Sequence, residues 1–140
     1  MSLNSDFDIV SGHPVVLVAE DETLIRMATS DALTEAGFEV MEARHAGEAL
    51  NFLEARGPEI RFLFTDIEMP GGMSGLELAA LVLQRWPWIS ILVASGKWLS
   101  DPAGLPPGSQ FFAKPYHIGR VIGQMRDLLA AHCGGLPTPR

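Results

Sequence analysis

Three short apolar runs each stop abruptly in charge, and that pattern constrains this chain more than any other. Val15-Val16-Leu17-Val18-Ala19 is followed by Glu20-Asp21, Phe62-Leu63-Phe64-Thr65 by Asp66, and Phe111-Phe112-Ala113 by Lys114-Pro115. Runs this short and this apolar read as strands buried on both faces. In an open parallel α/β sheet the carboxyl ends of the strands line one edge, and ligands bind in the crevice there. The pattern therefore gathers Glu20, Asp21, Asp66 and Lys114 into one cleft.

A chain of 140 residues with 47% hydrophobic and 19% charged residues is a single globular domain, large enough to bury a core without disulfides. The formal charge of −7 argues against a nucleic-acid surface and an anionic membrane surface. Cys133 stands alone, so no internal disulfide is possible, which fits a reducing compartment. No apolar run approaches the roughly 18 residues of a membrane span, and the start lacks a basic segment followed by an apolar one. The chain reads as soluble and cytoplasmic. Residues 1–13 are expected to form a flexible leader, 14–132 the folded domain, and 133–140 a flexible tail.

Strands are expected at Val15–Ala19, Phe38–Ala43, Arg61–Thr65, Ile89–Ala94 and Phe111–Ala113, alternating with helical stretches. In the first helix Leu24, Ile25, Ala28, Ala32 and Leu33 recur at helical spacing, and Gly37 stops it. Ala49, Leu50 and Leu53 mark a second helix ending near Gly57-Pro58. Ser74-Gly75-Leu76-Glu77 is a capping box opening a third, which Pro87 terminates after Trp86. Ile118, Val121, Ile122, Met125, Leu128 and Leu129 form one stripe on the last helix, ended by Gly134-Gly135. Between residues 97 and 110, Pro102, Gly104, Pro106, Pro107 and Gly108 crowd together, so a loop with at most a turn or two is expected.

Three carboxylates converging without histidine or thiolate suit a hard divalent cation such as Mg2+. Lys114 adds a point charge able to grip a phosphoryl oxygen. The cluster is built to neutralise a phosphoryl group, with a carboxylate near enough to accept it as an acyl phosphate. A fourth strand, Ile91-Leu92-Val93-Ala94, ends at Ser95-Gly96 and brings a hydroxyl to the same edge.

Together these motifs resemble the response-regulator receiver domains of two-component signalling. The resemblance covers residues 14 to about 131 and rests on four features in combination: the acidic pair, Phe64-Thr65-Asp66-Ile67-Glu68-Met69-Pro70, Ser95, and Lys114-Pro115. It implies a flavodoxin-like, doubly wound α/β fold with a five-stranded parallel sheet in order 2-1-3-4-5, here with an irregular fourth-helix region. It implies Asp66 as phosphoacceptor, Glu20, Asp21, Asp66 and the backbone carbonyl of Glu68 as the Mg2+ site, and Lys114 as the phosphate-binding lysine. Ser95 and Phe111 would be the switch pair. Glu68 and Lys97 occupy positions that influence autodephosphorylation in the family. Their opposite charges imply a pair across the mouth of the site that slows an attacking water.

The function implied is a phosphorylation-activated switch, not an enzyme in the ordinary sense, although it promotes its own phosphorylation and dephosphorylation. A histidine kinase or phosphotransfer protein would supply the phosphoryl group, and output would pass to a downstream protein partner or by onward transfer. No direct contact with nucleic acid or membrane is implied. Glu20 stands where the family more often has aspartate. The alternative is a magnesium-dependent phosphatase with an aspartyl-phosphate intermediate, in which Glu68 would be the acid/base. A flavodoxin-like electron carrier is disfavoured because Glu20-Asp21-Glu22 replaces the hydroxyl- and glycine-rich loop it needs. A non-phosphorylatable pseudo-receiver is disfavoured because every chemical position is filled. Trp98, in the irregular segment, reads equally as a packing residue and as an exposed partner anchor.

Overall fold

β1 (Val15–Ala19) lies between β2 (Glu39–Ala43) and β3 (Ile60–Asp66), with β4 (Ser90–Ser95) and then β5 (Gln110–Ala113) following outward on the β3 side. Every pairing is parallel, giving the order 2-1-3-4-5. The structure, a computed structural model, describes residues 12–97 and 104–135. The rest of the expected leader and tail, and residues 98–103 with Trp98, lie outside the described residues. Among the described residues four helices connect or follow the strands: α1 (Thr23–Glu35), α2 (Ala46–Arg56), α3 (Gly75–Arg85) and α4 (Ile118–Gly135). A short 3-10 turn, Gly57–Glu59, leads from α2 into β3.

Alternation along the strands builds two cores. Leu17, Ala19, Leu63, Ile91 and Val93 face α2 and α3, meeting Ala49, Leu53, Leu78 and Val82. Val16, Val18, Phe62, Phe64, Leu92 and Ala94 face α1 and α4, meeting Leu33, Val121 and Met125. Both faces of the sheet are covered, which is why its strands read as continuous apolar runs.

Local signals place the helix ends as the residues predict. Ser74 accepts from the Glu77 amide at 3.1 Å, and the Glu77 carboxylate accepts from the Ser74 amide at 2.9 Å. At the end of α1, Gly37 takes φ +102°, its amide donates to Thr34 O, and the Phe38 amide reaches back to Leu33 O. That reversal needs a residue without a Cβ. Between β4 and β5, the described residues hold a turn in which the Ser109 amide and hydroxyl both donate to Pro106 O.

Two expectations change. Strands β3 and β4 each run one residue further than their apolar runs, so Asp66 and Ser95 are the last residues of the strands themselves. The second change is the rotation of α1. The buried residues are Arg26, Thr29, Ser30 and Leu33, while Leu24 is 81% and Met27 50% exposed. Of the expected apolar stripe, Leu33 is buried and Ile25 and Ala32 are half-buried, but Leu24 and Ala28 face outward while Arg26, Thr29 and Ser30 face in. The cause is polar: Arg26 and Thr29 have partners inside, and those contacts set the helix's rotation.

Candidate functional site

Each strand end delivers one group to the edge. The β1 chain turns at Glu20, whose amide donates to Ala43 O at the end of β2. Its carboxylate is 4% exposed and held twice, Oε2 by the Glu22 amide at 3.0 Å and Oε1 by Lys114 Nζ at 3.1 Å. Asp66, 5% exposed, pairs across the sheet with Ala94, and the next amide, Ile67, donates to Ala94 O. Asp66 therefore sits on a backbone fixed on both sides. The Lys114 amide donates to Ser95 O at 2.8 Å, which aims the lysine from the end of β5 back across the cleft. The Lys114-Pro115 peptide is cis.

Lys114 Nζ lies 3.2 Å from Asp66 Oδ2 and bridges it to Glu20. Asp66 Oδ1 is buried and has no hydrogen-bond partner. Asp21, at the mouth, completes a group whose carboxylate oxygens from Glu20, Asp21 and Asp66 lie within 4.8 Å of one another. All donors are oxygen, as a hard divalent cation requires, and the unpartnered Oδ1 shows that the protein's own donors leave this carboxylate incompletely satisfied. The residues fit Mg2+.

The electrostatics follow from this crowding. Burial, then the neighbouring Glu20 charge, pushes the Asp66 carboxyl up to about 6, against the opposing pull of Lys114. Burial works against the Lys114 cation, but the Glu20 and Asp66 carboxylates outweigh it and raise its pKa. A carboxyl raised in the folded state stabilises the protein below its ordinary pKa and loses that contribution as pH rises through about 6. A cation in the cleft favours the ionised form, so Mg2+ should stabilise the fold much more at pH 8 than at pH 5. Melting with and without Mg2+ at both values checks this, and equal increments would contradict it.

Ser95 is fully buried and its hydroxyl is engaged by groups other than Asp66. Its Oγ donates to Glu68 Oε2 at 2.5 Å and accepts from the Lys97 amide at 3.0 Å. The pair expected between Glu68 and Lys97 is thus replaced: the Glu68 carboxylate is engaged by Ser95, and Lys97 contributes its backbone. Among the described residues Lys97 makes no ion pair. The physical reason is proximity, since the turn after β3 brings Glu68 over the end of β4. Phe111 is half-buried, pairs in register with Val93 and packs against the α2/α3 core.

Two participants were not singled out from the sequence. Tyr116 shares a 3.0 Å hydrogen bond with Thr29 and packs edge-on to Phe64, closing the floor beneath Asp66. Arg26, buried in α1, reaches the Glu20 carbonyl. Position two after the lysine was the available signal for Tyr116; a lone arginine on a helix carries none.

Residues 16–103 match the family model described as the response regulator receiver domain. The chain is 31% identical over 124 residues to the sensor kinase CckA of Brucella abortus, a match covering 86% of this chain and 13% of that protein. It is 28% identical over 119 residues to the response regulator receiver protein CpdR of the same organism, covering 83% of this chain and 97% of that protein. Among solved structures, a response regulator receiver protein from Sinorhizobium medicae aligns with a TM-score of 0.78 at 27% identity, covering 85% and 96% of the two chains. The response regulator TrrA of Thermotoga maritima, solved in complex with Mg(2+)-BeF, aligns with a TM-score of 0.71 at 25% identity, covering 82% and 98%.

Proposed function

Because the chain belongs to the response regulator receiver domains of two-component signalling, we propose that it is a phosphorylation-activated switch whose acceptor is Asp66. One observation carries this reading: Asp66 has one oxygen held by Lys114 and the other buried without a partner. The free Oδ1 is the nucleophile. It forms a bond to phosphorus as the donor's P–N bond breaks, and the donor imidazole leaves with the bonding pair. Lys114 moves from the two carboxylates onto a phosphoryl oxygen, keeping its charge matched throughout. Glu20, Asp21, Asp66 and the Glu68 carbonyl would hold Mg2+, which neutralises charge on the transferring group. The Mg(2+)-BeF complex of TrrA supports that assignment by likeness.

Ser95 and Phe111 form the readout. In the resting state Glu68 holds the Ser95 hydroxyl; a phosphoryl group on Asp66 offers a stronger acceptor, and Phe111 takes up the space that Ser95 vacates. The alternative, a phosphatase in which Glu68 serves as acid/base, is disfavoured because that carboxylate is bound to Ser95.

A protein donor is supported by the surface beside the cleft. Leu24 and Met27 are exposed on α1, and next to them a groove of about 440 Å3 is lined by Ile25, Ala28, Pro115, Tyr116 and Ile118 and ends at Lys114. Apolar surface concentrated beside a reactive group marks a protein contact. A kinase or phosphotransfer helix seated there would bring its phosphohistidine to Asp66. Replacing Leu24 and Met27 together by serine should slow transfer from a phosphorylated donor protein about tenfold, the loss of one good anchor contact. Labelling by a small phosphodonor should be unchanged. Equal rates from the protein donor would remove this face from the reading.

A further inference from the structure

The geometry points to Arg26 as the positioning residue of the acidic pair: its guanidinium fixes the peptide plane that joins Glu20 to Asp21, and so the direction of both carboxylates. The inference rests on the metal site proposed above and assigns a role to a residue that touches neither ion nor phosphoryl group.

Arg26 is 9% exposed, unusual for arginine, and its donors are directed. NH1 donates to the Glu20 carbonyl at 3.0 Å, a fully buried contact. Nε donates to Glu42 Oε1 at 3.1 Å, tying the guanidinium to β2. Glu42 pairs in register with Val18 of β1, so the anchor stands beside the strand that ends in the acidic pair.

The Glu20 carbonyl is one end of a rigid plane whose other end is the Asp21 amide. Glu20 is the junction between strand and helix. Its amide still belongs to the sheet, donating to Ala43 O, but its carbonyl precedes the helical ladder, whose first acceptor here is Glu22 O, taken by the Arg26 amide. Among the described residues no backbone donor reaches the Glu20 carbonyl, and Arg26 supplies the missing one. With both flanking peptide groups fixed, Glu20 and Asp21 can diverge only by their side-chain rotations. Two carboxylates that repel one another need that restraint to stay convergent.

Groups that orient metal ligands from behind typically contribute 10–100-fold to metal affinity when tested by mutation. The purified chain, titrated with Mg2+ in a calorimeter well below its melting transition, gives the readout. Arg26→Met keeps an unbranched side chain and removes every donor; its Mg2+ affinity should fall about tenfold. Arg26→Lys reaches one of the two acceptors and should recover part of the loss, and Glu42→Gln should show a smaller loss than Arg26→Met. Arg85→Met, which breaks an exposed ion pair between α3 and Glu54 of α2, should leave affinity unchanged. If Arg26 merely supports the fold, melting falls while Mg2+ affinity of the folded protein stays at the wild-type value, and the inference is overturned. Should Arg26→Met not fold, wild-type affinity in both Arg26→Lys and Glu42→Gln overturns it equally. A wild-type chain that binds no Mg2+ instead sinks the metal site itself, which separates the two failures.

Discussion

Asp66→Asn should abolish phosphorylation while making the metal-free protein more stable. Wild type, incubated with Mg2+ and a small phosphodonor, should gain one phosphoryl group by intact mass, and the variant none. The amide nitrogen and oxygen of asparagine lack the charge and nucleophilicity of the free Oδ1, and one of the three carboxylates on which the cation depends is lost with it. The stability gain has a separate origin. Burial and Glu20 raise the Asp66 pKa to about 6, so at neutral pH the folded state carries a carboxylate it would rather have protonated. Asparagine removes that charge at every pH. The variant should therefore melt higher than wild type at pH 8 without Mg2+, converge with it at pH 4, and lose most of the Mg2+ response. Residual labelling in the variant would move the acceptor elsewhere.

The second large effect is structural and sits behind the same residue. Gly75 opens α3, and its amide donates to Ile67 O. A Cβ there would lie 1.8 Å from the Asp66 carbonyl oxygen and 2.8 Å from Ile67 Cα. Both obstacles are backbone, so no rotamer change relieves them, and the helix must lift away from the end of β3. Overpacking by a methyl in a core usually costs about 1–3 kcal/mol; Gly75→Ala should reach or exceed the top of that range. Gly123, within α4, offers the reverse case: an added Cβ meets nothing within 4 Å. There the same substitution should stabilise the helix by about 0.5–1 kcal/mol. Urea unfolding of both variants checks the pair, and a Gly75→Ala protein within about 0.5 kcal/mol of wild type would contradict the close approach.

The parallel strands and the cleft were legible because both depend on patterns that physics makes local, whereas the strand order came from the family resemblance. Apolar runs flanked by turn residues report buried strands, and a charge at the end of such a run has nowhere to go but the edge. The convergence of Glu20, Asp21, Asp66 and Lys114 follows from the shared edge to which a parallel sheet brings its carboxyl ends. What escaped was decided by partners distant in sequence. The outward turn of Leu24 and Ala28 could not be read from helical spacing, because α1 orients to satisfy Arg26 against Glu20 and Glu42, and Thr29 against Tyr116. Spacing also could not show that Glu68 would meet the Ser95 hydroxyl before any cation, since opposite charges in sequence are only candidates for pairing. The one-residue extension of β3 and β4 escaped for a related reason: polar Asp66 and Ser95 end the apolar signal while the ladder continues beneath them.

That extension determines where the molecule can yield. Asp66 terminates the longest strand, in the middle of the sheet, with neighbours on either side. Ser95 terminates the next one out, and beyond it β5 is a four-residue edge strand with a single neighbour. Stiffness therefore falls steadily from acceptor to rim. In the proposed switch, charge arriving at Asp66 would load the best-anchored point, and the strain would be relieved by motion of lighter parts toward it, first a hydroxyl and then the edge. In that switch the anchored strand would act as the fixed jaw of a clamp, and the rim beyond it as the jaw that travels.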